Sequence, residues 1–134
     1  MKSRILIVDD HDDFRKVVKE HLEKNHLDLE IYEASSAEMA IVKAACVNPD
    51  IVLLDIRLPG VNGFVGLKEI KRDHPDCDVI ILSMFEVESF RKMTQESAAT
   101  DFVGKSEVFE QLIPAIKRCL KNHNGKKRKE RDPK

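Results

Sequence analysis

Asp9 and Asp10 stand together after an apolar run, Asp55 closes a second run, Ser83 closes a third, and Lys105 follows a fourth. Three carboxylates brought to one place repel one another. At ~5 Å and an effective dielectric of about 20, each pair costs about 3 kcal/mol. Such a cluster persists when a hard cation binds it, and Mg²⁺ prefers carboxylate oxygens and water. A carboxylate can also attack phosphorus and form an acyl phosphate. Phosphoryl transfer asks for positioning and charge neutralisation. The cation and Lys105 would supply charge, and Ser83 a hydrogen-bond donor. Taken singly, each residue has a plainer reading: an acid pair after a strand is a helix N-cap, and a lone Ser or Lys at a strand end carries no function. The joint placement at four separate strand ends points to one crevice.

That placement depends on the elements beneath it. Short apolar runs occupy residues 5–8, 29–32, 51–54 and 79–82, with a weaker one at 102–103. They are rich in β-branched residues and bounded by polar ones, as buried strands are. Their near-continuous apolar character predicts a parallel sheet covered on both faces. Amphipathic segments lie between them. In the first, Phe14, Val17, Val18 and Leu22 share one helical face. The second opens on Ser35 with Glu38 three residues on, a capping box, and Met39, Val42 and Cys46 line its predicted inner face. The third follows Gly63, carries Leu67 and Ile70, and stops before Pro75. A fourth, over 86–97, has Phe90 and Met93 as its apolar anchors. The last begins at Ser106 and is expected to bury Phe109, Leu112, Ile113, Ile116 and Leu120. Pro114 lies inside it and predicts a bend or a late helix start. Five β-α repeats imply an α/β fold with right-handed crossovers, and ligands in such sheets sit beyond the carboxyl ends of the strands.

The composition suits this reading. A chain of 134 residues, 42% apolar and 35% charged, has the size and balance of one soluble domain. It contains no apolar run of the roughly 20 residues that span a bilayer, and MKSRILIVDD is not a signal peptide, so no membrane contact is expected. Cys46, Cys77 and Cys119 show neither zinc spacing nor a disulfide framework, which fits reduced thiols in the cytoplasm. The net charge of −1 hides an asymmetry: residues 121–134 carry +5 and the rest −6. Residues 1–121 read as the domain, and 122–134 as a basic tail or truncated interdomain linker. The tail has no aromatic residue for base stacking.

At ILIVDDH (5–11), DIVLLDIRLPGVNG (50–63), VIILSM (79–84) and DFVGKS (101–106) the chain resembles the receiver domain of bacterial two-component response regulators. The likeness covers residues 3 to about 120 and is nearest to regulators with a helix-turn-helix output domain. It implies a five-stranded (βα)5 flavodoxin-like, doubly wound fold. It implies that Asp55 accepts phosphate from the phosphohistidine of a sensor histidine kinase. Asp10 and Asp55 would ligate Mg²⁺ with the backbone carbonyl of Arg57 and, through water, Asp9. Ser83 and Lys105 would hold the phosphoryl oxygens, and Phe102 would be the aromatic whose rotamer reports the state. Homodimerisation on phosphorylation, and DNA contact only through an output domain outside this chain, are further implications. The protein would be no enzyme beyond its own phosphotransfer and autodephosphorylation.

Three features depart from the family pattern. Ala98-Ala99 replaces the usual Gly-Ala before the aromatic, Ser106 stands where many relatives have proline, and the aromatic is Phe rather than Tyr. Two other classes compete. A haloacid-dehalogenase-type phosphohydrolase wants an Asp two positions after its nucleophile, where this chain has Arg57. A flavodoxin-like redox carrier needs a phosphate loop where Asp9-Asp10-His11 would repel phosphate. A stand-alone receiver acting by protein contact is the alternative within the leading class. The five histidines lack metal-ligand spacing and read as solvent or capping groups, with His11 alone near the acid pair.

Overall fold

The structure, a computed structural model, describes residues 2–57, 63–84 and 99–130, the last nine of these as backbone. Strands β1 (Ser3–Val8), β2 (Leu29–Ala34), β3 (Ile51–Asp55), β4 (Asp78–Ser83) and β5 (Asp101–Gly104) form one sheet in the order β2-β1-β3-β4-β5. Every pairing is parallel. Helices α1 (Asp12–Lys24), α2 (Ala37–Val47), α3 (Gly63–Asp73) and α4 (Val108–Glu130) flank it, with a 3₁₀ turn Lys105–Glu107 leading into α4. The helix predicted over 86–97 lies outside the described residues, as do Pro59, Gly60 and Ala98. Among the described residues no helix is long and apolar enough to cross a membrane.

Strand side chains alternate between two cores. Ile5, Ile7, Ile51, Leu53, Ile80 and Leu82 pack with Val18 and Leu22 of α1 and with Leu112 and Ile116 of α4. Leu6, Val8, Val52, Leu54, Val79 and Ile81 pack with the alanines of α2 and with Leu67 and Ile70 of α3.

The face of α2 differs from the sequence reading. Ala37, Ala40 and Ala44 are buried, whereas Met39 and Val42 are 53% and 65% exposed and Cys46 is exposed. Close approach selects the smaller side chains: a Cβ at Gly66 of α3 would lie 3.2 Å from the Cβ of Ala37. The cap also shifts by one residue. Ser36, not Ser35, accepts the Met39 amide at 3.1 Å, while Ser35 Oγ points to Met39 Sδ. Pro114 sits inside α4, which begins only after the 3₁₀ turn and runs on to Glu130. Phe109, expected in the core, is instead 59% exposed at the start of α4, where its ring meets that of His21 edge-on at 5.0 Å. Helix α4 returns to the amino ends of the strands, where Arg118 pairs with Asp101 at 2.5 Å.

Candidate functional site

Strand register brings the polar residues together. Val8 is level with Leu54, so Asp9 and Asp55 extend the same rung one residue on. Asp55 is level with Leu82, placing Ser83 one step further, and Ser83 is level with Gly104, after which Lys105 follows. Each of these polar residues emerges where its strand's apolar run ends. The sheet therefore aims Asp9, Asp55, Ser83 and Lys105 at one crevice, between strands whose connections leave in opposite directions.

Lys105 is buried, and its Nζ lies 2.6 Å from Asp9 Oδ2 and 3.1 Å from Asp55 Oδ2. The Asp55 contact is a hydrogen bond, whereas that to Asp9 Oδ2 is ionic only, without hydrogen-bond geometry. The Phe14 ring covers the ammonium, 4.4 Å from Nζ to the ring centroid. Asp55 Oδ1 accepts the Arg57 amide at 2.9 Å. Burial pushes the Asp55 carboxyl above its ordinary value. The Arg57 amide and the Lys105 ammonium pull it back, and the Asp9 charge adds to the rise.

Asp9 is 0% exposed. Its Oδ1 accepts the His11 amide at 2.8 Å, and its backbone carbonyl accepts Arg15 Nη1 at 2.5 Å. Arg15 also donates from Nε to Glu33 Oε1 at 3.1 Å, tying the first turn of α1 to β2 beneath the pocket. Asp10 and His11 sit at the exposed mouth. Behind Asp55, Gly63 opens α3 with its amide on the Ile56 carbonyl at 3.1 Å. A Cβ there would fall 2.3 Å from Ile56 Cα and 2.8 Å from the Asp55 carbonyl oxygen, so no other residue fits without moving the strand end.

Each predicted site residue can now be placed. Asp9, Asp10, Asp55 and Lys105 converge, and Ser83 is fully buried at the neighbouring strand end. Phe102 is half-buried on β5 against the core cluster of α2 and α3. The 105–106 peptide is trans. Sequence reasoning missed two contributors, Phe14 as a cover for Lys105 and Arg15 as a brace for the Asp9 carbonyl, whereas His11, noted beside the acid pair, does reach the pocket. Their signal was proximity to the acid pair in sequence, with helical spacing carrying Arg15 inward.

The donor set suits a hard divalent cation. Asp9, Asp10, His11 and Asp55 each offer a ligand atom, all within 4.8 Å of one another. Three of the four groups are carboxylates, and Asp9 Oδ2 is buried without a hydrogen-bond partner.

A doubly wound parallel sheet with an acid cluster, a buried lysine and a serine at its carboxyl edge defines a phosphoacceptor switch domain. The model of the response regulator receiver domain matches residues 5–117, and the chain belongs to that family. It is 31% identical to the transcriptional regulatory protein DegU of Brevibacillus brevis over 116 residues, 87% of this chain and 49% of that protein. It is 32% identical to the chemotaxis protein CheY of Bacillus subtilis over 120 residues, 90% of this chain and 99% of that protein. A two-component response regulator of the LuxR family from Aurantimonas sp. SI85-9A1 superposes with a TM-score of 0.83 at 28% identity, covering 91% of this chain and 87% of the other. The chain spans about half the length of DegU and of the GacA response regulators that it also matches.

Proposed function

We propose that the chain is a two-component signalling switch in which Asp55 accepts a phosphoryl group from the phosphohistidine of a sensor histidine kinase. The observation that carries this reading is Lys105 Nζ held between two buried carboxylates, 2.6 Å from Asp9 and 3.1 Å from Asp55. Asp10 and Asp55 would hold Mg²⁺ directly, with the Arg57 carbonyl, and Asp9 through water. Held by these residues, the ion would supply charge neutralisation for the phosphoryl transfer. Asp55 Oδ2 attacks phosphorus, the P–N bond to the kinase histidine breaks, and an acyl phosphate forms. The Arg57 amide keeps Oδ1 turned away, which presents Oδ2 to the crevice. Lys105 exchanges its contact with Asp55 for a phosphoryl oxygen, and Ser83 donates to another.

The switch follows from these exchanges, since a phosphoryl group biases two states only by contacts that differ between them. Ser83 moves toward the phosphoryl group and Phe102 turns inward behind it. The protein acts in the cytoplasm and catalyses no reaction beyond its own phosphorylation and dephosphorylation. Residues 1–121 form the receiver and 122–134 lead toward an output domain. The phosphorylated form pairs with a second copy and acts on DNA through that output domain. Likeness to DegU and to a LuxR-family regulator supports this, while the match to the whole of CheY supports a receiver acting alone.

Incubation with Mg²⁺ and a small-molecule phosphodonor should add one phosphoryl group, and Asp55→Asn should abolish it. An adduct that survives that substitution, or that maps to a serine, overturns the assignment.

A further inference from the structure

Among the described residues of the acid cluster, His11 alone offers nitrogen among oxygens. Its ring Nδ1 lies 3.1 Å from Asp9 Oδ1 and 3.1 Å from Asp10 Oδ1. Two carboxylate oxygens thus face a single imidazole nitrogen. A protonated Nδ1 can serve them only through a divided hydrogen bond, and a bare Nδ1 meets them lone pair to lone pair. A cation among the three resolves that opposition. Atoms 3.1 Å apart, each ~2.1–2.2 Å from a shared ion, subtend roughly 90–95° at it, which is the edge of an octahedron. Asp9 Oδ2, fully buried in the crevice, makes no hydrogen bond and is met only by the Lys105 ammonium at 2.6 Å.

The imidazole is free to take this role. The His11 side chain is 68% exposed, so it approaches or leaves an ion without unpacking the core. Its backbone amide already anchors the residue on Asp9 Oδ1 at 2.8 Å. Mg²⁺ keeps oxygen ligands and water, whereas imidazole suits borderline transition ions.

We propose that His11 Nδ1 is a specificity-determining metal ligand, which biases this pocket from Mg²⁺ toward a divalent transition ion that accepts imidazole. The inference rests on the reading of the acid cluster as a divalent-cation site. In such an ion's complex, Nδ1 and the facing carboxylates share one coordination sphere. With Mg²⁺, the imidazole stays outside it.

The test uses the full chain, with Ni²⁺ and Mg²⁺ titrated separately by calorimetry into wild type, His11→Ala and Asp10→Asn. His11→Ala should weaken Ni²⁺ binding on the order of 10-fold or more, the least that disturbing a metal's ligand sphere typically costs, and change Mg²⁺ affinity far less. Asp10→Asn should weaken both ions. NMR of the Ni²⁺-loaded wild type should show hyperfine-shifted imidazole protons that are missing from His11→Ala. If wild type binds neither ion, the cation-site reading itself fails. If both ions bind but His11→Ala weakens both alike or neither, or the shifted imidazole protons persist in it, the His11 assignment is overturned and the cation site stands.

Discussion

Replacing Lys105 by Met removes one positive charge from the pocket while keeping most of the apolar stem. The ammonium lies 2.6 Å from Asp9 and 3.1 Å from Asp55. At an effective dielectric of about 20, those attractions are worth ~6 and ~5 kcal/mol, and the loss of hydration of all three groups offsets most of that gain. The cost of the substitution lies in what it leaves behind, two buried carboxylates without their shared cation. Breaking a buried pair in this way costs about 3–5 kcal/mol, and the lost contact with the Phe14 face adds roughly 0.5–1 kcal/mol. The deficit should depend on pH. Burial already holds Asp55 above its ordinary value, and removal of Lys105 pushes it further in that direction. A carboxyl raised in the folded state supports stability at low pH, and that support is lost as pH rises through its folded value. Lys105→Met should therefore be close to wild type near pH 4 and fall away toward neutrality. Mg²⁺ takes over the charge neutralisation, so the metal-induced gain, RT ln(1 + [Mg²⁺]/Kd), should be larger in the variant than in wild type. Urea denaturation of both proteins, in chelator and in Mg²⁺, at about pH 4 and pH 7.5, measures all of this. A variant as stable as wild type in chelator at neutral pH would refute the account of Lys105 as the pocket's internal counter-ion.

Asp55→Asn should stabilise the metal-free protein at neutral pH by about 1–3 kcal/mol, because a carboxyl held above its usual value opposes folding when ionised. The decline in stability above about pH 4 should flatten in that variant, as read by the pH dependence of the urea midpoint. Gly63→Ala should cost about 1–3 kcal/mol or more, since its Cβ would meet Ile56 and the Asp55 carbonyl, and it should slow phosphodonor labelling of Asp55 in a timed mass-spectrometric assay. Ser36→Ala should cost ~1 kcal/mol in the urea midpoint and leave labelling unchanged, because it removes only the α2 cap.

Much of the site was legible because strand ends are legible. The runs ending at Asp9, Asp55 and Ser83 change abruptly from β-branched to polar, and parallel pairing converts those endpoints into neighbours. The inner face of α2 was not, because hydropathy favours Met39 and Val42 while the space available favours Ala37, Ala40 and Ala44. Side-chain volume at a helix-helix contact is a tertiary quantity, set here by Gly66 on α3. Ser35 was favoured by Glu38 three residues on, yet the helix starts one residue later, so Ser36 takes the Met39 amide. Lys105 was expected to address phosphate, but its present partners are Asp9 and Asp55. A charge that awaits a ligand must be neutralised in the meantime, and composition does not say by what. His11 was picked out by its place after the acid pair, but spacing between histidines, the test applied for metal binding, is blind to a histidine that joins carboxylates.

Helix α4 begins beside the pocket and runs 23 residues, about 34 Å, back past the amino ends of the strands. The acid cluster thus stands at one end of the chain, and the stretch with Lys126, Lys127, Arg128 and Lys129 lies along the far end of that helix. The basic stretch is therefore held away from the crevice along the strand direction, while acids occupy both ends of the sheet, Asp9, Asp10 and Asp55 at one and Asp50, Asp78 and Asp101 at the other. A positively charged surface finds its complement at the crevice without the basic end of the helix beside it. Encounters of that kind quicken at low ionic strength and slow as salt shortens the reach of the field.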